Sequence, residues 1–100
     1  MRMLLKYAFD TQAASEAIRS GAIEEINRGL AESTKPEAAY FGTENGVRTG
    51  YIFFDLDDPS RIPMLAEPLF QVTGANVQFI PVMNADDMQK GLAAARNGGG

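Results

Sequence analysis

The chain has 100 residues, 45% of them hydrophobic and 22% charged, with a formal net charge of −4 and a pI of about 4.6. That length makes one domain, and an acidic chain without a basic stripe argues against nucleic acid and anionic membrane surfaces as partners. It contains neither Cys nor His, which excludes disulfides, Cys-based zinc sites, thiol nucleophiles, iron–sulfur clusters and a His-ligated haem, and removes the commonest general base.

Residues 1–9 are too short and too interrupted for a signal peptide. No apolar run approaches the roughly 18–20 residues of a membrane span, so a cytoplasmic location without a membrane partner is expected. The first strand reads over 2–9 and ends at Asp10-Thr11, a pair suited to a helix N-cap. A helical stretch over 12–33 follows, with Ala14, Ile18, Ala22, Ile26 and Leu30 at four-residue spacing on one face. Ser20-Gly21 is a break point within it, and Lys35-Pro36 ends it. Residues 37–44 and 47–56 then flank Asn45-Gly46, the pair that best tolerates a type I′ turn. A two-residue turn there sets Thr43 opposite Arg48, Tyr40 opposite Tyr51 and Ala38 opposite Phe53.

Asp57-Asp58-Pro59-Ser60 turns the chain into a second helix, capped by Asp58 or Ser60, with Pro63 in its first turn. Ile62, Leu65, Ala66 and Leu69 form its apolar side, and Pro68 predicts a kink or an end. Thr73-Gly74 leads to a last strand over 76–83. Asn84 with Asp87 three residues on predicts a capped start for a short helix reaching about Arg96. The order βαββαβ plus a tail helix specifies an α+β, ferredoxin-like domain over residues 1–96, with an antiparallel four-stranded sheet. Asn97-Gly98-Gly99-Gly100 reads as a disordered tail.

Strand alternation divides the sheet into two faces. Met3, Leu5, Tyr7, Phe9, Gly50, Ile52, Phe54, Leu56, Val77 and Phe79 are assigned to the helices. The other face carries Leu4, Ala8, Tyr40, Tyr51, Phe53, Ile80 and Val82, with Lys6, Asp55 and Gln78 among them. Each exposed Phe or Leu forgoes roughly 1.5–3 kcal/mol of burial, and a patch of this extent is larger than monomers usually present. Two helices cover one side of the sheet. The other side is expected to meet a second copy in a two-fold homodimer; the plainer alternatives are a half-apolar face left in solvent, or cover by the tail helix.

The run Tyr51-Ile52-Phe53-Phe54-Asp55-Leu56, then Glu67-Pro68-Leu69-Phe70, then the strand from Val77 to Pro81, resembles the second half of muconolactone isomerases in order and spacing. Together with Pro36-Glu37-Ala38-Ala39-Tyr40-Phe41 and Asp57-Asp58-Pro59-Ser60, the chain resembles small uncharacterised members of the dimeric α/β-barrel superfamily. The resemblance implies a ferredoxin-like fold whose sheet packs on its partner's sheet to close a barrel. It also implies a range of roles within that superfamily: lactone isomerisation, cofactor-free monooxygenation, or no known activity. The Trp and His of the isomerases have no counterpart here, so no catalytic residue is carried over.

Lys6, Tyr40, Tyr51, Phe53, Asp55 and Gln78 are the candidate ligand-binding residues. Lys6 can hold an anion, a tyrosine can donate to a carbonyl or enolate oxygen, and apolar neighbours can enclose a small molecule. The plainer alternative pairs Lys6 with Asp55 at the barrel rim and packs the tyrosines across the hairpin. Turn and capping chemistry accounts for Asp57 and Asp58 without a metal. Glu37 and Arg48 project toward the helices, where edge solvation accounts for them; Glu67 is expected to face solvent. No Walker loop, dinucleotide fingerprint or nucleophile elbow occurs. The expectation is a cofactor-free homodimer binding a small, partly apolar molecule in the cleft between sheet and helices. The alternatives are a cofactor-free enzyme of the isomerase or monooxygenase type, and an assembly module without a ligand.

Overall fold

A computed structural model describes residues 1–98. The chain runs β1 (Arg2–Ala8), α1 (Thr11–Ser20), α2 (Ala22–Thr34), β2 (Ala38–Glu44), β3 (Val47–Asp55), a 3-10 turn (Pro59–Arg61), α3 (Ile62–Thr73), β4 (Asn76–Pro81) and α4 (Ala85–Arg96). The strands form one sheet in the order β2-β3-β1-β4, every neighbouring pair antiparallel. This is the expected α+β, ferredoxin-like arrangement, with both crossovers on one side of the sheet.

The break at Ser20-Gly21 divides the first helical stretch in two. Asp10 caps α1 by accepting from the Ala13 amide, and Gly21 closes it at φ 83°, its N–H donating to the Ile18 carbonyl. That left-handed conformation suits glycine, which has no Cβ to clash. The hairpin has the expected register, with Tyr40 opposite Tyr51 and Ala38 opposite Phe53. Its two turn residues, Asn45 and Gly46, have φ of 55° and 79°, the sign a type I′ turn demands at both positions.

The structure narrows one expectation and corrects another. Of the two outcomes expected at Pro68, an end is overturned, because α3 continues to Thr73. The missing N–H leaves the Met64 carbonyl without its helical donor, but Met64 is on the exposed side, where solvent replaces that bond. Strand β4 stops at Pro81 rather than Met83, with one further ladder bond from the Val82 amide to the Arg2 carbonyl. The expected helix after Asn84 is present with a complete capping box, Asn84 and Asp87 each bonding the other's amide. Asn97 and Gly98 form the turn that closes it; residues 99–100, the end of the expected disordered tail, lie outside the described residues.

The core lies between the sheet and α1–α3. Met3, Leu5 and Tyr7 of β1, with Phe9 just after it, pack with Ile52, Phe54 and Leu56, under Ala14, Leu30, Leu65 and Leu69. Arg48 reaches α1 from the sheet, donating to the Thr11 carbonyl and the Ser15 hydroxyl at 3.3 and 3.2 Å. Arg61 links the turn before α3 to the end of α2 through Asp57 and the Ser33 carbonyl. Helix α4 shares none of this. It buries no residue, and Asp87 of its first turn borders Arg2, Glu37 and Asp55 at the end of the sheet. With no buried residue of its own, it adds nothing to the packed core. Among the described residues no helix is long and apolar enough to cross a membrane.

Candidate functional site

On the face away from the helices, the registers align residues in rows across all four strands. One row is Tyr40, Tyr51, Lys6 and Gln78. On one side of it lies an apolar row of Ala38, Phe53, Leu4 and Ile80. On the other lies a row of small side chains, Gly42, Thr49, Ala8 and Asn76. This follows from a two-residue turn and period-2 alternation: once Tyr40 faces Tyr51, every open-face residue of β2 and β3 is placed.

The polar row is held by Glu44, a residue the sequence analysis did not single out. Glu44 shares the parity of Tyr40 and Gly42, so alternation was a sufficient signal for it. Its carboxylate accepts from Lys6 Nζ through one oxygen and from Tyr51 Oη, at 2.7 Å, through the other. Lys6 and Glu44 are 25% and 39% exposed at the side chain, so the pair is shielded more than an open surface pair. The Lys6 ammonium, and secondly the Tyr51 phenol, hold the Glu44 carboxyl below the usual carboxylate range. The Glu44 carboxylate in turn raises the Tyr51 phenol above its ordinary value, by hydrogen bonding first and desolvation second.

The six candidate residues do not all converge. Lys6, Tyr51, Tyr40 and Gln78 share the polar row and Phe53 lies in the next. Asp55 stands at the far end of the sheet, opposite Arg2, four residues along β1 from Lys6, or about 13 Å. The Lys6–Asp55 pairing is therefore corrected: Lys6 pairs with Glu44, and Asp55 accepts from the α-amino group of Met1 at 2.7 Å. Arg48 faces the helices as expected, whereas Glu37 turns to the sheet end and pairs with Arg2 at 2.6 Å. Asp57 pairs with Arg61 and Asp58 accepts from the Ser60 amide. Among the described residues no group of acidic side chains is placed to hold a metal ion.

A recess of about 270 Å³ opens beside the polar row, lined by Lys6, Ala8, Glu44, Asn45, Asn76 and Gln78. The small row creates it, because Ala8 and Asn76 rise less than the side chains next to them. The recess offers three side-chain amides and an internally paired Lys6–Glu44, beside an apolar strip whose Ile80 is 38% exposed. Between sheet and helices the centre is packed core, while a recess of about 370 Å³ opens at its edge between α3 and β4, lined by Ile62, Ala66, Phe70, Val77 and Phe79; an apolar groove of about 300 Å³ lies further out, between α2 and α3. No protein-family model matches this chain, and no curated protein sequence matches it.

Proposed function

We propose that the chain is a homodimer that binds a small, partly apolar, uncharged molecule between its two open sheet faces. The observation that carries this reading is the row Tyr40–Tyr51–Lys6–Gln78, organised by Glu44, set between an apolar strip and a recess on a face that no helix of the same chain covers. Stacking two such faces removes the apolar strips from water and converts each recess into a lined chamber. The resemblance to dimeric α/β barrels supports the same assembly.

Binding fits the electrostatics better than proton transfer. Glu44 is held ionised by Lys6, and the Tyr51 proton is held by Glu44. A general acid or base works best with a pKa near the working pH, and these two are moved away from it in opposite directions. Because Lys6 is neutralised inside the protein, an anionic ligand gains little from it, while a neutral hydroxyl or carbonyl group can share the amides of Asn76 and Gln78.

The test joins assembly to binding. Sedimentation from about 1 to 100 μM is expected to show a dimer that Ile80→Asp converts to a monomer. Thermal shift against a panel of neutral cyclic lactones and phenols is expected to find members that raise the melting temperature. Glu44→Gln, which frees Lys6 and removes one acceptor charge, is expected to abolish that shift and to favour carboxylate analogues instead. A monomer across the whole range, or shifts unaffected by Glu44→Gln, defeats the proposal.

A further inference from the structure

Helices α2 and α3 lie side by side on the sheet, and Arg61 ties the start of α3 to the Ser33 carbonyl at the end of α2. Between them runs the apolar groove of about 300 Å³, at the lower end of the range for small-molecule sites. Its α2 wall is shallow because Ala22, Gly29 and Ser33 are small. Its α3 wall is Met64, Pro68 and Val72, one turn apart and all exposed. Leu30 and Leu65 close the floor and are buried.

Three polar groups border this apolar surface, and all of them accept hydrogen bonds. Pro68 stands inside α3 and has no N–H for the Met64 carbonyl. Proline is the costliest residue in a helix interior, and what it leaves here is an acceptor between two residues that line the groove. Glu25 brings a carboxylate that, among the described residues, has no ion-pair partner. The Ser33 hydroxyl accepts as well as donates. Among the residues that line the groove there is no Lys, Arg or side-chain amide. The N–H of Ala22, at the start of α2, is already given to the Ser20 hydroxyl at 3.3 Å.

Such a groove repels an anion and offers acceptors that a hydrogen-bond donor satisfies. We propose that it binds a small amphiphilic ammonium compound. The apolar body lies over Leu30, Leu65 and Val72, and the ammonium group donates to the Glu25 carboxylate and the Met64 carbonyl. An ammonium group has three donors and no acceptor, and hydrogen bonds between charged groups are the stronger ones. The site is on the opposite side of the sheet from the row of Tyr51 and Lys6, and it does not depend on the homodimer.

Cyclohexylmethylammonium is the probe, with cyclohexylmethanol and cyclohexanecarboxylate as companions of similar shape and different charge. Amide NMR spectra of the full chain are expected to show saturable shifts at Glu25, Gly29, Leu65 and Val72 with the ammonium compound at millimolar concentration. The alcohol is expected to bind several-fold more weakly and the carboxylate not to bind. Glu25→Gln is expected to weaken the ammonium compound about threefold. Pro68→Ala, which returns an N–H to the Met64 carbonyl, is expected to weaken it by about three- to tenfold. Gly29→Leu, whose side chain enters open space, is expected to fill the groove and abolish binding. All three positions are exposed, and the last two substitutions favour a helix, so lost binding is not lost folding. Equal binding of the three compounds overturns the proposal, as do shifts that never saturate or that survive Gly29→Leu. Affinity unchanged by both Glu25→Gln and Pro68→Ala overturns it too, because the two anchors would then hold nothing.

Discussion

Tyr7 and Gly50 face each other across β1 and β3, and the Tyr7 ring lies where a side chain at position 50 would be. A Cβ built on Gly50 would sit 2.3 Å from Tyr7 Cζ. Glycine is thus required there for close approach, and Gly50→Ala is expected to destabilise by about 1–3 kcal/mol, as overpacking does. Urea unfolding measures it, and the loss is expected to shrink in a Tyr7→Leu background, where the ring is gone; equal losses in both backgrounds would assign the cost elsewhere. Tyr7 is fully buried, and burial pushes its phenol up to about 12. Its folded value therefore lies above the unfolded value of about 10. The protonated form favours the fold, so this contribution is complete below about pH 10 and is lost as the pH rises toward 12. The shift corresponds to about 2–3 kcal/mol. Urea midpoints are expected to fall more steeply over that interval in the wild type than in Tyr7→Phe. Parallel slopes would show that the phenol ionises as freely folded as unfolded. Among site residues, Lys6, Tyr51, Tyr40 and Gln78 were legible from alternation alone. Glu44 was missed because it borders the turn, where side chains are readily taken for solvated ones, and Lys6 was assigned to the wrong carboxylate because parity gives the face but not the distance along it.

At the scale of elements, the helix boundary at Gly21 depends on one backbone conformation. Nothing lies within 4 Å of a Cβ built at Gly21, so space permits a side chain there, but its φ of 83° does not suit one. Gly21→Ala is expected to destabilise by about 1–2 kcal/mol, the cost of the left-handed region for an L-residue. Gly29 also has open space but sits inside α2 at an ordinary φ, and Gly29→Ala is expected to stabilise by about 0.5–1 kcal/mol. Opposite signs from the same substitution, read by urea unfolding, separate conformation from packing; two losses or two gains would not. The strands, the hairpin register and three of the helix starts were legible because each has a local chemical marker: Asn45-Gly46 for the turn, Asp10 and Asn84 for caps, Ser20-Gly21 for the break. The persistence of α3 beyond Pro68 was not. It depends on Leu65, Ala66 and Leu69 being buried on the sheet, and tertiary packing of that kind outweighs a local breaker without leaving a mark in the local sequence.

For the whole molecule, the question is what shields the apolar strip on the open face of the sheet, the exposed Phe41 of β2 and the exposed Met88 and Leu92 of α4. The homodimer proposed above shields the first of these. In the proposed homodimer assembly is part of stability, because a folded dimer in equilibrium with unfolded monomers gains from mass action. Each tenfold rise in protein concentration adds about 1.4 kcal/mol per dimer. For a unit of about 200 residues that corresponds to a rise in melting temperature of roughly 3–5 °C. Calorimetry from about 5 to 500 μM is therefore expected to show a melting temperature that climbs in proportion to the logarithm of concentration. Ile80→Asp on the open face is expected to melt lower and to show no such dependence, because its protomers unfold singly. A wild-type transition that stays fixed across the whole range would mean that the exposed Ile80 remains in water in the native protein, and the case for two copies would then have no thermodynamic support.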